Sequence, residues 1–178
     1  MAITVGTTFK ILVRDGLLKP GRVLDLGCGT GVDAEYLAKQ GYTVDAVDSD
    51  SENILKIPAN PNLSPILSKI EDYIIKENYY NLVSAQYVLH FLPKETAHNI
   101  LQRMVAGTIS GGVISFNVLG GKDDWKTLWT TWDKEEIEKY ISQLPVTIYK
   151  RVEEEGHGMT KAGSLKLWHV MNYVLIKK

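Results

Sequence analysis

The stretch Asp25-Leu26-Gly27-Cys28-Gly29-Thr30-Gly31 sets three glycines at alternate positions, with Asp25 before them and Asp33 just after. Glycine reaches positive φ without a Cβ penalty and lets backbone approach a neighbour closely. The loop is therefore shaped to turn sharply and to receive a ligand against bare main chain. Its G-x-G-x-G spacing differs from the G-x-G-x-x-G that presents a pyrophosphate to a helix N-terminus. Carboxylates at that end repel a phosphate and suit an ammonium group. Asp48 stands 17 residues after Gly31, near the ~20-residue offset at which an acidic side chain accepts the hydroxyls of an adenosine ribose. Alone, the glycines make a turn and Asp48 caps a helix. Together in one βαβ unit they point to a nucleoside that carries a cationic amine.

Other chemistry-bearing residues are sparser. His90 follows a strand pattern, and with an unperturbed pKa near ~6.5 it is a candidate to take a proton from a nucleophile; a core or capping histidine is the competing reading. His169 is a second candidate base. Four tryptophans, Trp125, Trp129, Trp132 and Trp168, lie in the last third of the chain, where an aromatic wall beside a sulfonium would attract it and where core packing is the commoner use. Glu153, Glu154 and Glu155 read as a solvated run at a hairpin. Cys28 is the only cysteine, which excludes an internal disulfide and zinc spacings such as C-x2-C, so no metal is expected. No G-x-S-x-G nucleophile elbow occurs, nor the Asn-Pro-Pro-aromatic motif of amino-group methyltransferases.

The elements that must hold these residues follow from periodicity. Residues 22–26 read as a first strand after the Pro20-Gly21 turn, and residues 31–40 as a helix with Ala34, Leu37 and Ala38 on one face. Residues 43–47 form a second strand, and the acidic, serine-rich 48–52 segment can cap a short helix. A third strand at 63–68 contains Pro65. A fourth is expected at 82–89, a helix at 94–106, and a fifth strand at 113–118 after Gly111 and Gly112. Residues 134–143 read as a last helix, and 146–152 and 165–176 as two strands joined by a Gly- and Glu-rich stretch at 153–163, which should pair antiparallel. The alternation predicts an α/β class. The expected architecture is a Rossmann-like, seven-stranded, mainly parallel sheet with one antiparallel strand near its edge and helices on both faces.

The 178 residues fit a single domain, 1–178, in which 1–19 is a candidate N-terminal lid through Phe9. With 44% hydrophobic residues the chain can build a full core without metal or disulfide staples. Lys plus Arg number 20 against 21 Asp plus Glu, so no basic field invites nucleic acid. No membrane-length apolar window and no signal-peptide pattern occurs, which leads us to expect a cytoplasmic protein without a membrane partner.

The run V-L-D-L-G-C-G-T-G (23–31), the V-D-A-V-D at 44–48 and the Y-V-L-H-F-L-P at 87–93 resemble the class I S-adenosylmethionine-dependent methyltransferases. G-G-K-D-D-W (120–125), E-E-E-G-H (153–157) and K-L-W-H-V (166–170) resemble blocks of the small stand-alone enzymes related to tellurite-resistance methyltransferases. The resemblance implies S-adenosyl-L-methionine as cofactor and a small-molecule methyl acceptor, with thiol, tellurite and selenium species as the soft nucleophiles that need no base. It implies that Gly27, Gly29 and Gly31, with Cys28 in the same loop, line the methionine portion and that the Asp25 region lies near its amino group. Asp48 would hold the ribose hydroxyls, Ser49 would lie beside the adenine, Ile70 and Glu71 would flank it, and Gln86 and Tyr87 would border the sulfonium. Where many relatives place an Asp for the adenine amino group, this chain has Lys69-Ile70; an alternative register uses Asp72. Two other readings stay open: a non-catalytic S-adenosylmethionine-binding module, and an NAD-type oxidoreductase.

Overall fold

The computed structural model describes residues 5–160 and 162–178. Strands β1 (Arg22–Leu26), β2 (Thr43–Asp48), β3 (Leu63–Leu67), β4 (Tyr80–Ala85) and β5 (Thr108–Gly120) run parallel. The two-residue β6 (Thr131–Trp132) pairs with the end of β5. Strands β7 (Val146–Met159) and β8 (Leu165–Lys177) form a long hairpin whose second arm lies antiparallel against β5. The sheet order is β3-β2-β1-β4-β5-β8-β7. Apart from the short β6 this is the seven-stranded, mainly parallel sheet expected, and the reversed strand is second from the edge.

Helices cover both faces because the buried strands alternate in which core they feed. Val23, Val44 and Leu82 pack with Phe9 and Leu12 of α1 (Val5–Arg14) and with Ala34 and Leu37 of α2 (Val32–Lys39), while Ile54 of α3 (Ser51–Leu55) borders the same cluster. Leu24, Val83, Ile114 and Phe116 point the other way, onto Ile100, Leu101 and Met104 of α4 (Lys94–Gly107) and Ile137 of α5 (Lys134–Ile141). Each fully buried Leu or Ile of this kind contributes about 1.5–3 kcal/mol. Pro65 sits in β3, which pairs only with β2, so its missing N–H faces the sheet's open edge. Residues 1–4 of the expected lid lie outside the described residues; the rest of that segment contributes α1, with Phe9 fully buried in the core. Among the described residues no helix is long and apolar enough to cross a membrane.

Three local expectations need correction. The fourth strand ends at Ala85 instead of running to Leu89: Tyr87 takes a left-handed φ of 53°, and Leu89–Phe91 closes into a 3-10 turn. The α4 helix ends at Gly107, not at the 111–112 glycine pair, and Gly111 (φ 73°) falls in an irregularity where β5 skips from Thr108 opposite Tyr80 to Val113 opposite Leu82. The 153–163 stretch is strand as far as Met159, with only a tight turn beyond it. Its glutamates mark a charged sheet edge, which discourages edge-to-edge pairing.

The end of β5 is locked to β8 through a glycine. A Cβ on Gly120 would lie 2.1 Å from Nδ1 of His169, whose ring is buried against it. We expect Gly120→Ala to lower unfolding stability by about 1–3 kcal/mol through overpacking. Urea denaturation checks this, and an unchanged midpoint would show that the ring can retreat freely.

Candidate functional site

The glycine loop leaves β1 directly. Gly27, Gly29 and Gly31 hold φ of 71°, 56° and 76°, left-handed values that cost an L side chain roughly 1–2 kcal/mol each. The N–H groups of Gly27 and Cys28 both donate to the Val47 carbonyl (2.8 and 3.0 Å), pinning the loop to the end of β2. The missing side chains make room for the protein itself as well as for a ligand. A Cβ on Gly27 would meet Val88 at 2.6 Å, and one on Gly31 would meet Ile57 at 2.8 Å.

Asp48 completes the lock. Its Oδ2 accepts from Gly29 N–H (2.8 Å) and its Oδ1 from Asp50 N–H (2.9 Å). Each oxygen keeps a second acceptor site for a hydroxyl. The helix-capping role falls to Asp50, which accepts from Glu52 N–H at the start of α3.

A cleft of about 480 Å³ opens over this lock, within the ~300–1,000 Å³ of small-molecule sites. Gly27, Gly29, Asp48 and Ser49 line it on one side, as do Ile70 and Glu71 beyond β3 and Gln86 and Tyr87 beyond β4. Lys69 and Ile70 belong to the lining and Asp72 does not, so the first of the two registers faces the cleft. Asp25, Cys28, Gly31 and His90 stand outside the lining. Asn53, Val88, Phe91 and Leu92 are lining residues that the sequence reading did not single out. Val88, Phe91 and Leu92 were hidden because residues 82–89 read as one continuous strand; Phe91 and Leu92 do sit inside the quoted 87–93 motif. A smaller cavity of about 100 Å³ lies between α1 and the β7–β8 hairpin and shares Gln86 with the cleft.

Burial sets the protonation states around the loop. Asp25 is 5% exposed in mid-sheet beside Ser84. Desolvation first, and then the nearby Asp33 and Asp48 charges, push its pKa up to about 8, so it is mostly a neutral acid at pH 7. Burial likewise drives the Cys28 thiol far above its ordinary value, which makes it an inert wall group.

The two candidate bases are both committed elsewhere. His90 lies in the 3-10 turn, 1% exposed, with neither ring nitrogen hydrogen-bonded, and desolvation lowers its pKa to about 4. His169 accepts from Lys122 N–H at Nδ1 (3.2 Å), so Nε2 carries the proton and donates to Glu153 (3.0 Å). The glutamate run is thus partly structural: Glu153 orients His169 and Glu155 pairs with Lys122.

Gln86 and Tyr87 are fixed by a polar network on the α1 face of the sheet. Gln86 donates to Ser115 Oγ (2.9 Å) and accepts from Asn117 (3.2 Å). Asn117 Oδ1 accepts from Tyr87 N–H (2.7 Å), and Asn172 reaches on to Glu154 (3.2 Å). Those bonds hold Tyr87 in its uncommon left-handed conformation. Its ring meets Trp168 edge-on at 5.9 Å. Because β8 is reversed, its start brings Trp168 to the rim where the parallel strands end.

A family model described as "Tellurite resistance protein TehB" matches residues 6–157. The probable S-adenosyl-L-methionine-dependent methyltransferase TehB of Haemophilus influenzae is 37% identical over 101 residues, which is 54% of this chain and 35% of that protein. The ubiquinone biosynthesis O-methyltransferase of Vibrio parahaemolyticus is 31% identical over 111 residues, 59% of this chain and 46% of that protein. The chain therefore spans less than half the length of these two relatives. Among solved structures, TehB from Haemophilus influenzae superposes with a TM-score of 0.79 at 21% identity, covering 99% of this chain and 64% of that one. The magnesium protoporphyrin IX methyltransferase of Synechocystis with bound SAM gives 0.72 at 17% identity, covering 97% and 77%. At these identities the superpositions establish the fold.

The raised pKa of Asp25 has a signed consequence. Between about pH 5 and 7 the folded chain keeps this proton and the unfolded chain has lost it. Rising pH then removes about 1.4 kcal/mol of stability per unit at this group. Asp25→Asn abolishes that slope, so the stability of the unaltered protein minus that of the variant should fall by this amount per unit. Urea denaturation at pH 5, 6 and 7 measures it, and parallel curves would mean that the carboxyl is ionised in the fold.

Proposed function

The chain belongs to the tellurite resistance protein TehB family, and on that premise we propose that it transfers a methyl group from S-adenosyl-L-methionine to a small-molecule acceptor. The observation that carries the reading is the Asp48 carboxylate, tied to the glycine loop at Gly29 N–H (2.8 Å) on the lip of the cleft. It has acceptor capacity left for two vicinal hydroxyls. A diphosphate-binding site would not put a carboxylate there. Bound at this lip, S-adenosylmethionine supplies a methyl carbon already activated by its sulfonium.

The residues divide the work by position. Asp48 accepts the ribose hydroxyls, while Ser49, Ile70 and Glu71 border the adenine. Gly27 and Gly29 give backbone to the methionine portion, and Asp25 yields its proton when an ammonium group arrives. Gln86 and Tyr87, held by Ser115 and Asn117, border the sulfonium. What remains is alignment and exclusion of water. With His90 buried and His169 engaged on both nitrogens, neither histidine serves as a general base. That favours an acceptor that brings its own nucleophilic lone pair, such as a thiolate or a selenium or tellurium species. The same observation is what a binding module without turnover would show, and the acceptor experiment separates the two.

S-adenosylhomocysteine at 100 times its Kd should stabilise the fold by about 2.7 kcal/mol. A thermal shift with NADH and none with S-adenosylhomocysteine would refute the assignment. Asp48→Ala removes hydrogen bonds to a charged group, worth about 1.5–3 kcal/mol each, and should weaken S-adenosylhomocysteine at least about tenfold by calorimetry. Unchanged affinity would move the ribose elsewhere. Radiolabelled methyl transfer to thiols, selenite and tellurite tests turnover, and binding without transfer to any acceptor favours the sensor.

A further inference from the structure

Resting on the methyl-transfer reading, we propose that the acceptor is an uncharged planar heteroaromatic molecule, methylated on a lone pair that needs no deprotonation. The wall of the cleft beyond β4 is built from rings. Tyr87 and Phe91 line it. Trp168 packs edge-on against Tyr87, and Trp129 packs edge-on against Phe91 (4.9 Å, 87°). Trp125 backs Trp168 at 5.3 Å. Phe91 is 47% exposed and Trp129 41%, so ring surface remains open beside the cleft. These rings come from three separated segments: the exit of β4, the loop after β5 and the start of β8.

The charges behind the rings are already neutralised. Lys166, 5% exposed, bonds to the fully buried Asp123 and lies over Trp125 (4.0 Å) and Trp168 (3.9 Å). Asp123 is held in turn by the N–H groups of Trp125 and His169. Lys122 pairs with Glu155, and Lys94 with Glu136. The cation that lines the cleft, Lys69, follows β3 beside Glu71 at the opposite end. An oxyanion entering by the rings would shed its hydration and meet no unpaired cation there among the described residues.

A flat neutral ring gains instead from offset or edge-on packing against Tyr87, Phe91 and the tryptophans. In the transfer, the acceptor's ring-nitrogen lone pair forms the new bond to the methyl carbon. The carbon–sulfur bond breaks, and its electron pair stays on sulfur. Positive charge passes from the sulfonium to the acceptor ring, no proton is released, and the aromatic faces receive a cation in place of the one consumed.

The test uses the full chain with methyl-labelled S-adenosylmethionine at pH 8 and three acceptors: isoquinoline, 2-mercaptoethanol and tellurite. Isoquinoline should be N-methylated with kcat/KM about tenfold or more above the other two. Trp129→Ala, at an exposed ring, should raise KM for isoquinoline about fivefold while S-adenosylhomocysteine affinity stays within about twofold; Trp168→Leu should act likewise. Faster transfer to tellurite or to 2-mercaptoethanol, no methylation of isoquinoline, or a KM indifferent to Trp129→Ala would each overturn the acceptor assignment. If S-adenosylhomocysteine fails to bind the unaltered protein in calorimetry, the methyl-transfer reading itself falls, and this inference with it.

Discussion

The bond from Gly29 N–H to the Asp48 carboxylate is the constraint from which the rest of the site follows. It joins the loop after β1 to the end of β2, beside the two bonds by which Gly27 and Cys28 hold the Val47 carbonyl. Three left-handed residues in a five-residue span would otherwise sample many conformations, since glycine loses more freedom on ordering than any other residue. Anchored at both carbonyl and carboxylate, the loop is preorganised, and a ligand that reads its shape does not have to order it first. The same carboxylate also fixes Asp50, so the entry to α3 moves with the loop as one unit.

The third wall of the cleft is coupled to that unit by packing. Val88 occupies the space where Gly27 lacks a side chain, so the chain leaving β4 rests on the glycine loop. From there a row of polar groups crosses the sheet. Asp25, Ser84 and Ser115 are lateral neighbours on β1, β4 and β5, and Gln86 turns back onto Ser115. On the opposite face the same strands present Leu24, Val83, Ile114 and Phe116 to the core. The sheet is apolar throughout on the α4 side and becomes polar toward the rim on the α1 side. That asymmetry, more than any single residue, decides which face a polar ligand approaches.

Much of this was readable in the amino-acid order because it is local. The glycine spacing, the acidic residue after the second strand and the helical periodicity of residues 32–39 and 94–107 each depend on neighbours within a turn or two. The extension of β7 through Glu153–Glu155 was not readable: its strand character comes from pairing with β8, and Gly156 and Gly158 read locally as loop. Where the fourth strand ends was equally hidden, because the left-handed turn at Tyr87 is imposed by Asn117, thirty residues away. His90 looked available after a strand, yet its burial depends on Phe91 and Trp125 closing over it.

The reversal of β8 explains why the aromatic side of the cleft could not be assembled from the sequence. A parallel last strand would send its start to the far end of the sheet and leave the rim to loops. Antiparallel pairing with β5 instead places Leu119 opposite Val170, so Lys166, Trp168 and His169 arrive where Gly120 and Asp123 already stand. Putting a lysine and an aspartate there out of water is costly, and such a pair is weak evidence of net stability. Its effect is on geometry. Asp123 accepts from two backbone N–H groups and from Lys166, which binds the loop after β5 to the first residues of β8. Two indole rings then cover the ammonium group. The charge is thereby spent on holding the rings in place, and the surface they turn outward is left neutral.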